Sequence, residues 1–177
     1  EAVVAVDDGG GALGRHSSQQ FVVHAVDRRQ LAGLLRVPLA VPALELAFDV
    51  PVVAAEVVDE SPDARSLVFD APGLDYRPGQ FLTLRVPSDR TGSVARCYSL
   101  ATSPHTDAAP KVTIKRTPGG YASNWLCDNI SPGDRIEVLP PSGLFTPQDL
   151  DGDFLLWAAG SGITPVISIL KSVLSQG

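Results

Sequence analysis

From about residue 51 onward, short runs of alternating apolar and polar residues are separated by clusters of turn-forming residues. A period of two is typical of β-strands that bury one face, and Pro, Gly, Ser and Asp mark the turns between them. This pattern predicts a mainly β fold, a closed antiparallel barrel with one helical insert at Tyr121–Asn129. The six predicted strands are Val52–Val58, Ser66–Phe69, Phe81–Val86, Tyr98–Ala101, Lys111–Lys115 and Arg135–Leu139.

The pattern changes after Asp153. The continuous apolar run Phe154–Ala159 is typical of a strand that is buried on both faces. A Gly160–Gly162 turn follows, and then a helical pattern in which Pro165 suits the first turn. A strand, a glycine turn and a helix in this order predict the first βα unit of an α/β nucleotide-binding domain. The apolar positions of that helix are Val166, Ile167, Ile169, Leu170, Val173 and Leu174.

These patterns divide the chain into three regions. Residues 1–48 lack the organisation of the rest and are expected to be a poorly ordered N-terminal extension. Residues 49–147 are expected to form the barrel, and residues 150–177 the start of the nucleotide-binding domain. One βα unit cannot form a sheet, and the sequence contains no methionine, so we expect the second domain to be truncated.

Composition narrows the class of protein. Of 177 residues, 44% are apolar and 19% are charged, and the formal net charge is −6. This acidity excludes a nucleic-acid binder that relies on overall positive charge, and no apolar run reaches the roughly 18 residues of a membrane span. Two cysteines, Cys97 and Cys127, are too few for a disulfide scaffold and predict a reducing, cytoplasmic location. His16 and His24 lack partners at metal-ligand spacing, so no metal is expected.

Positive charge is concentrated in one part of this acidic chain. Between Leu84 and Arg116 there are six basic and two acidic residues, a local charge of +4. Such a concentration suits an anionic ligand such as a diphosphate, although an ordinary solvated surface can have the same composition. The basic residues are Arg85, Arg90, Arg96, Lys111, Lys115 and Arg116.

The segment Arg96-Cys97-Tyr98-Ser99 favours the ligand interpretation. In an alternating strand, Arg96 and Tyr98 lie on one face, while Cys97 and Ser99 lie on the other. A guanidinium beside a phenol ring can hold a phosphate while the ring covers a flat heterocycle. Lys115, on a later strand, would supply a second cation.

A second candidate phosphate site lies at Gly119-Gly120, directly before the predicted helix. Two glycines that lead into a helix leave backbone N–H groups free to bind an anion, with Ser123 in the first turn. A plain glycine turn capped by Ser123 is the alternative. Trp125 and Leu126 are expected to pack in the core, and Cys127 to be a buried thiol.

Together these motifs resemble the flavin-binding barrel of the ferredoxin–NADP reductase superfamily, especially the reductase components of multicomponent oxygenases. The resemblance covers about residues 52–177, in the order of the family. It implies a six-stranded antiparallel Greek-key flavin-binding barrel, followed by the first βα unit of a nicotinamide-nucleotide domain. The matching segments are Pro78–Phe81, Arg96–Ser99, Val112–Arg116, Gly119–Trp125, Pro132–Asp134, Pro141–Phe145 and Gly160–Pro165.

The resemblance implies a role for each matched residue. Arg96 would bind the FAD diphosphate, Tyr98 would stack on the isoalloxazine ring, and Ser99 would lie near flavin N5, which makes Tyr98 and Ser99 the catalytic pair. Residues 113–115 would line the flavin edge, residues 120–124 would cradle the diphosphate, and residues 160–165 would meet the nicotinamide dinucleotide. The implied cofactor-binding residues are Arg96, Cys97, Tyr98, Ser99, Thr113, Ile114, Lys115, Gly120, Tyr121, Ala122, Ser123, Asn124, Gly160, Gly162, Thr164 and Pro165.

The activity implied by the resemblance is that of an NAD(P)H-dependent flavin oxidoreductase. A hydride would pass from nicotinamide to FAD, and electrons would continue singly to an iron–sulfur centre and then to an oxygenase component or a ferredoxin. Full-length relatives carry a [2Fe–2S] cluster, but Cys97 and Cys127 cannot supply its four ligands. No nucleic-acid or membrane partner is expected. A non-catalytic nucleotide-binding barrel and an inactive fragment remain as alternatives.

Overall fold

The computed structural model describes residues 50–176, so the expected N-terminal extension lies outside the described residues. Within them the chain forms six β-strands and two α-helices, which confirms the mainly β, antiparallel fold class. The helices are α1 (Tyr121–Asn129) and α2 (Ile163–Gln176), and a 3₁₀ turn, Gly160–Gly162, precedes α2. The strands are β1 (Val50–Ser61), β2 (Ala64–Asp70), β3 (Phe81–Ser88), β4 (Gly92–Ser99), β5 (Lys111–Lys115) and β6 (Arg135–Ser142).

The six strands form one sheet in the order β4-β3-β6-β1-β2-β5. The position of β6 between β3 and β1 is the Greek-key crossover. Strand β1 pairs with β6 through Val50–Val53 and with β2 from Val53 to Ser61. The two edge strands meet where Leu100 bridges Val112 and the Ala101 N–H donates to the Lys111 carbonyl oxygen at 2.8 Å. The sheet therefore curls into a barrel.

The fourth strand differs from its predicted position at Tyr98–Ala101. It starts at Gly92 because the β3–β4 hairpin pairs every residue from Ser88↔Gly92 to Phe81↔Ser99. The stretch Ser93–Ala95 shows no clear alternation of apolar and polar residues, so the hairpin register extends a strand that the local pattern does not reveal.

The core fills the barrel from alternate positions of its strands. Alternation puts Leu82, Leu84 and Val86 of β3 inside, each with 0% exposure. On α1, Leu126 and Cys127 are buried and Trp125 packs against the same core, as the sequence predicts. The other residues of the core cluster are Val52, Ala54, Leu67, Phe69, Tyr76, Leu100, Val112, Ile114, Ala122, Ile130, Ile136 and Val138.

The predicted buried strand at Phe154–Ala159 is not formed. The segment has no strand pairing, and Leu155 and Trp157 are 72% and 69% exposed. A strand needs neighbours to satisfy its N–H and C=O groups, and no described strand pairs with this segment. The helix that follows is formed, but neither helix within residues 50–176 is long and apolar enough to cross a membrane.

Gly79 makes the turn before β3 possible. Its φ of +91° lies in the region that favours glycine, and a Cβ there would overlap the Phe145 carbonyl oxygen. We expect Gly79→Ala to lower the free energy of unfolding by more than about 3 kcal/mol, measured by urea denaturation. Gly73→Ala is the control, because Gly73 also has a positive φ but open space around it, and should cost only about 1–2 kcal/mol. Equal losses in the two variants would contradict this account.

Candidate functional site

Strand β4 carries the first group of candidate residues. Arg96 pairs with Leu84 and Tyr98 pairs with Leu82, and directly opposite residues in an antiparallel pair share a face. Cys97 lies on the other face, where its Sγ is 3.4 Å from Thr83 Oγ1. Ser99 is half-buried at the end of the strand, opposite Phe81. The structure therefore places Arg96 and Tyr98 side by side, as strand alternation predicts.

Tyr98 is a neutral, half-buried ring. It packs against the barrel core, and burial raises the pKa of its phenol to about 12. The nearby Cys127 thiol adds to the rise in pKa, and the Arg96 guanidinium opposes it. The ring of Tyr98 is therefore held in its neutral form beside the barrel core.

Arg96 and Arg90 are the two basic residues of the Leu84–Arg116 segment that form no ion pair within residues 50–176. Arg96 is exposed, lies beside Tyr98, and its Nη1 donates to the Ala95 carbonyl oxygen at 2.7 Å. Most of the local positive charge is neutralised by carboxylates from distant parts of the chain, so Arg96 is the basic residue beside Tyr98 that can bind an anion. The neutralised pairs are Arg85–Glu137, Lys111–Glu60, Lys115–Asp63 and Arg116–Asp128.

The N-terminus of α1 provides the second group. Gly119 has a φ of +69°, and Gly120 is the N-cap with no side-chain capping hydrogen bond. A Cβ on Gly120 would lie 3.0 Å from Thr117 Cβ and 3.1 Å from Ser123 Oγ, so the loop packs too closely for a larger residue. The first-turn N–H groups thus lack a side-chain acceptor, which suits an anion.

Ser123 and Asn124 shape this loop. The Thr117 N–H donates to Ser123 Oγ at 3.1 Å, so the Ser123 side chain stabilises the loop before the helix and does not cap the helix N-terminus. Asn124 Nδ2 donates to the carbonyl oxygens of Thr117 and Gly120 at 2.9 and 2.5 Å. The sequence did not point to Thr117, whose backbone N–H and carbonyl oxygen bind the side chains of Ser123 and Asn124 in the folded loop. Its position three residues before the N-cap was the only available signal.

Tyr121 places the helix N-terminus near Arg96. The Tyr121 hydroxyl donates to the Pro87 carbonyl oxygen at 2.7 Å, while the next residue, Ala122, is buried. Pro87 lies three residues along β3 from Leu84, the partner of Arg96. Three strand residues span roughly 10 Å, which is a separation that a dinucleotide can bridge.

Strand β5 contributes an open backbone edge. The Lys111 carbonyl oxygen accepts a hydrogen bond from the Ala101 N–H, so the backbone groups of Lys111 face β4. Because every second residue of a strand directs its N–H and C=O to the same side, the backbone groups of Thr113 and Lys115 face β4 as well. The side chain of Ile114 is buried in the core. The Thr113 hydroxyl is 2.8 Å from Ser66 Oγ, and Lys115 Nζ pairs with Asp63 at 3.4 Å. These residues therefore offer backbone groups more readily than side chains.

The glycine turn before α2 forms a separate group. Gly160 is exposed with a φ of +53°, and the Gly162 N–H donates to the Ala159 carbonyl oxygen at 3.0 Å. The Thr164 hydroxyl donates to the Ser161 carbonyl oxygen at 2.9 Å, and Pro165 is half-buried in the first turn. In the described part of the chain, no hydrogen bond joins residues 160–165 to β4 or α1.

The residues on β4, α1 and β5 fit FAD chemically. An uncapped helix N-terminus behind Gly120 and the unpaired Arg96 suit a diphosphate, and the neutral ring of Tyr98 suits a flat heterocycle. Cys127 adds no reactive group, because burial is the main cause that raises the pKa of its thiol. Its Sγ instead lies 3.8 Å from the Ile114 carbonyl oxygen.

Comparison with known families and proteins points the same way. The sequence model of the oxidoreductase FAD-binding domain matches residues 50–146. The chain is 71% identical over 126 residues to the ferredoxin reductase component of 3-ketosteroid-9-alpha-monooxygenase from Rhodococcus rhodochrous, covering 68% of this chain and 36% of that protein. It is 62% identical over 148 residues to the component of the same name from Mycolicibacterium smegmatis, covering 79% and 40%. The chain thus spans about two fifths of the length of these relatives.

Solved structures share the fold. Phthalate dioxygenase reductase, described as modular for electron transfer from pyridine nucleotides to [2Fe–2S], superposes with a TM-score of 0.63 at 27% identity. That match covers 72% of this chain and 40% of the reductase. A cytochrome P450 reductase from Amycolatopsis superposes with a TM-score of 0.61 at 30% identity, covering 71% and 39%.

The burial of Tyr98 gives a testable pH dependence. The pKa of its phenol is raised from 10.0 to about 12. The buried phenol therefore contributes stability below pH 10 that is lost as the pH rises toward 12. We expect the difference in phenolate absorbance between the wild-type chain and Tyr98→Phe to have its midpoint near pH 12. A midpoint at pH 10.0, the ordinary value, would show that the ring is not buried.

Proposed function

Since the chain belongs to the oxidoreductase FAD-binding domain family, we propose that it is the flavin-binding part of an NAD(P)H-dependent reductase. Its electrons would go to an iron–sulfur centre and then to an oxygenase component or a ferredoxin. The observation that carries the proposal is the juxtaposition on one side of the barrel of an unpaired Arg96, a neutral Tyr98 and the uncapped N-terminus of α1.

The diphosphate is the part of the cofactor with the most charge to satisfy. Arg96 would bind it through the guanidinium, whose hydrogen bond within residues 50–176 goes to the carbonyl oxygen of its neighbour Ala95. The first-turn N–H groups of α1 would complete the site, with residues 120–124 as the cradle. Ser123 and Asn124 would act by keeping the Thr117–Gly120 loop in shape.

The isoalloxazine ring would lie against β4 and β5. Tyr98 would stack on it, Ser99 would lie near N5, and Cys97 would contribute from the other face of β4. Backbone groups of Thr113, Ile114 and Lys115 would line the flavin edge. When bound, FAD supplies the redox chemistry, accepting a hydride and releasing electrons singly. The protein residues hold the ring and shield it from water.

The proposed reductase also needs a site for the nicotinamide nucleotide and an electron acceptor. Gly160, Gly162, Thr164 and Pro165 would meet NAD(P)H on the turn before α2. The relatives named as ferredoxin reductase components support a ferredoxin or an oxygenase as the acceptor. The free cysteines, Cys97 and Cys127, are in keeping with a cytoplasmic location.

Replacing Arg96 tests the diphosphate assignment. We expect Arg96→Ala to weaken FAD binding about 10- to 100-fold, because a charge-assisted contact to phosphate is lost. Binding of riboflavin, which has no phosphate, should be nearly unchanged. Both affinities can be measured by titrating flavin fluorescence with protein. Tyr98→Ala, in contrast, should weaken both ligands, because each has the same ring system.

Arg90→Ala is the matched control for charge. Arg90 is an exposed arginine in the β3–β4 turn, and its loss changes the net charge by the same amount as loss of Arg96. It should retain wild-type FAD affinity. If Arg96→Ala keeps its FAD through dilution and gel filtration, the assignment of Arg96 is wrong. If the wild-type chain binds neither flavin, the proposed function itself fails.

A further inference from the structure

Helix α2 packs on the barrel through buried hydroxyl groups. Ser168 and Ser172, one turn apart, have 0% exposure, whereas many of the apolar residues of this helix face solvent. The buried side therefore differs from the apolar face that the sequence predicts. Val166 and Ile169 are its buried apolar members, and the exposed apolar positions are Ile163, Ile167, Leu170 and Leu174.

Ser168 joins three segments of the chain. Its Oγ accepts a hydrogen bond from the Gly79 N–H at 3.3 Å and donates to the Thr102 carbonyl oxygen at 2.6 Å. The Thr102 side chain is itself held, because the Tyr76 hydroxyl donates to Thr102 Oγ1 at 2.9 Å. The hydroxyl therefore ties α2 both to the turn before β3 and to the loop after β4.

Ser172 and Lys171 make a second set of contacts one turn further along. Ser172 Oγ lies 2.7 Å from Ser103 Oγ and donates to the Ser168 carbonyl oxygen at 2.8 Å. Lys171 Nζ donates to Asp107 at 2.8 Å, and Asp107 also accepts the Ser103 N–H at 2.8 Å. We call the contacts of Ser168 and Ser172 with Gly79, Thr102 and Ser103 the serine seam.

A polar seam holds a helix in one position more strictly than apolar packing does. Hydrogen bonds are directional, and a buried hydroxyl or carbonyl that loses its partner is strongly penalised. Within the described residues, every buried side-chain nitrogen and oxygen has a partner. Sliding or rotating α2 by one residue would break several of these contacts at once.

The seam also lies between the two parts of the proposed active site. Thr102 follows Ser99, the last residue of β4, by three positions. Ser168 follows Gly162 by six positions, which is about 9 Å along a helix. A short path of hydrogen-bonded residues therefore links the Tyr98–Ser99 face to the Gly160–Gly162 turn.

We propose that Ser168 and Ser172 are positioning residues, which fix the Gly160–Gly162 turn relative to the flavin-binding face of β4. The inference rests on the proposed function for the identity of the two ligands, nicotinamide and flavin. The geometry that it asserts belongs to the chain alone, so it can be tested without cofactor or turnover.

The test measures the distance between β4 and the glycine turn. Spin labels are attached to the native, exposed Cys97 and to Ser161→Cys in the full chain, while buried Cys127 stays unlabelled. Electron paramagnetic resonance then gives the distribution of distances between the two labels in the otherwise unsubstituted chain and in chains that also carry Ser168→Ala, Ser172→Ala or both. Ser175→Ala is the matched control, because among the described residues the Ser175 hydroxyl donates to the Ser172 carbonyl oxygen of its own helix and not to the barrel.

We expect a narrow distribution in the otherwise unsubstituted chain and in Ser175→Ala, and a distribution about twice as broad in the double serine variant. Amide exchange of residues 100–107 and 163–176 should be about tenfold faster in that variant, while residues 50–70 keep their protection. An unchanged distance distribution in the folded double variant would overturn the proposal.

Loss of the whole fold is recognised by loss of protection in residues 50–70. In that case the single variants decide, because each leaves the seam contacts of the other serine in place, and unchanged distributions in both would overturn the proposal. Flavin titrations of the unlabelled variants separate the two hypotheses. A seam that positions α2 in a chain that binds no flavin would contradict the proposed function but leave the positioning role intact.

Discussion

Antiparallel pairing of β3 with β4 is the interaction on which the candidate site depends. Its register puts Arg96 and Tyr98 opposite Leu84 and Leu82, on the face that borders the core. The period of two means that a slip by one residue would exchange both side chains for Cys97 and Ser99. The same hairpin carries Pro87, to which Tyr121 anchors helix α1. The cation, the ring and the helix N-terminus therefore come together because one strand pair has one register.

Ion pairs with carboxylates determine which basic residue of the candidate site is available to an anion. The segment around β4 and β5 has an excess of basic residues, yet carboxylates from other elements pair with most of them. Exposed pairs of this kind contribute little to stability. Their larger effect is on specificity, because they leave Arg96 as the cation beside a neutral Tyr98. An acidic chain can in this way present a selective site for an anion.

The barrel and helix α2 are held by different forces. Apolar side chains from alternate strand positions fill the barrel, and such packing tolerates small adjustments. Helix α2 meets the barrel through Ser168 and Ser172, whose hydrogen bonds allow one arrangement. Residues close to Ser99 in the chain provide the partners for this contact. Packing therefore builds the flavin-binding face, and hydrogen bonds determine where the adjoining turn lies.

The sequence by itself determined the barrel, helix α1 and the glycine loops, because strand periodicity and glycine turns are properties of neighbouring residues. It misplaced the start of β4 and predicted a strand at Phe154–Ala159, since strands also need partners that are distant in the chain. Only the tertiary structure decided which cations stay unpaired, how deeply Tyr98 is buried and that Ser168 is an interface residue. The reason is physical: ion pairing, burial and side-chain hydrogen bonds join residues that the fold alone brings together.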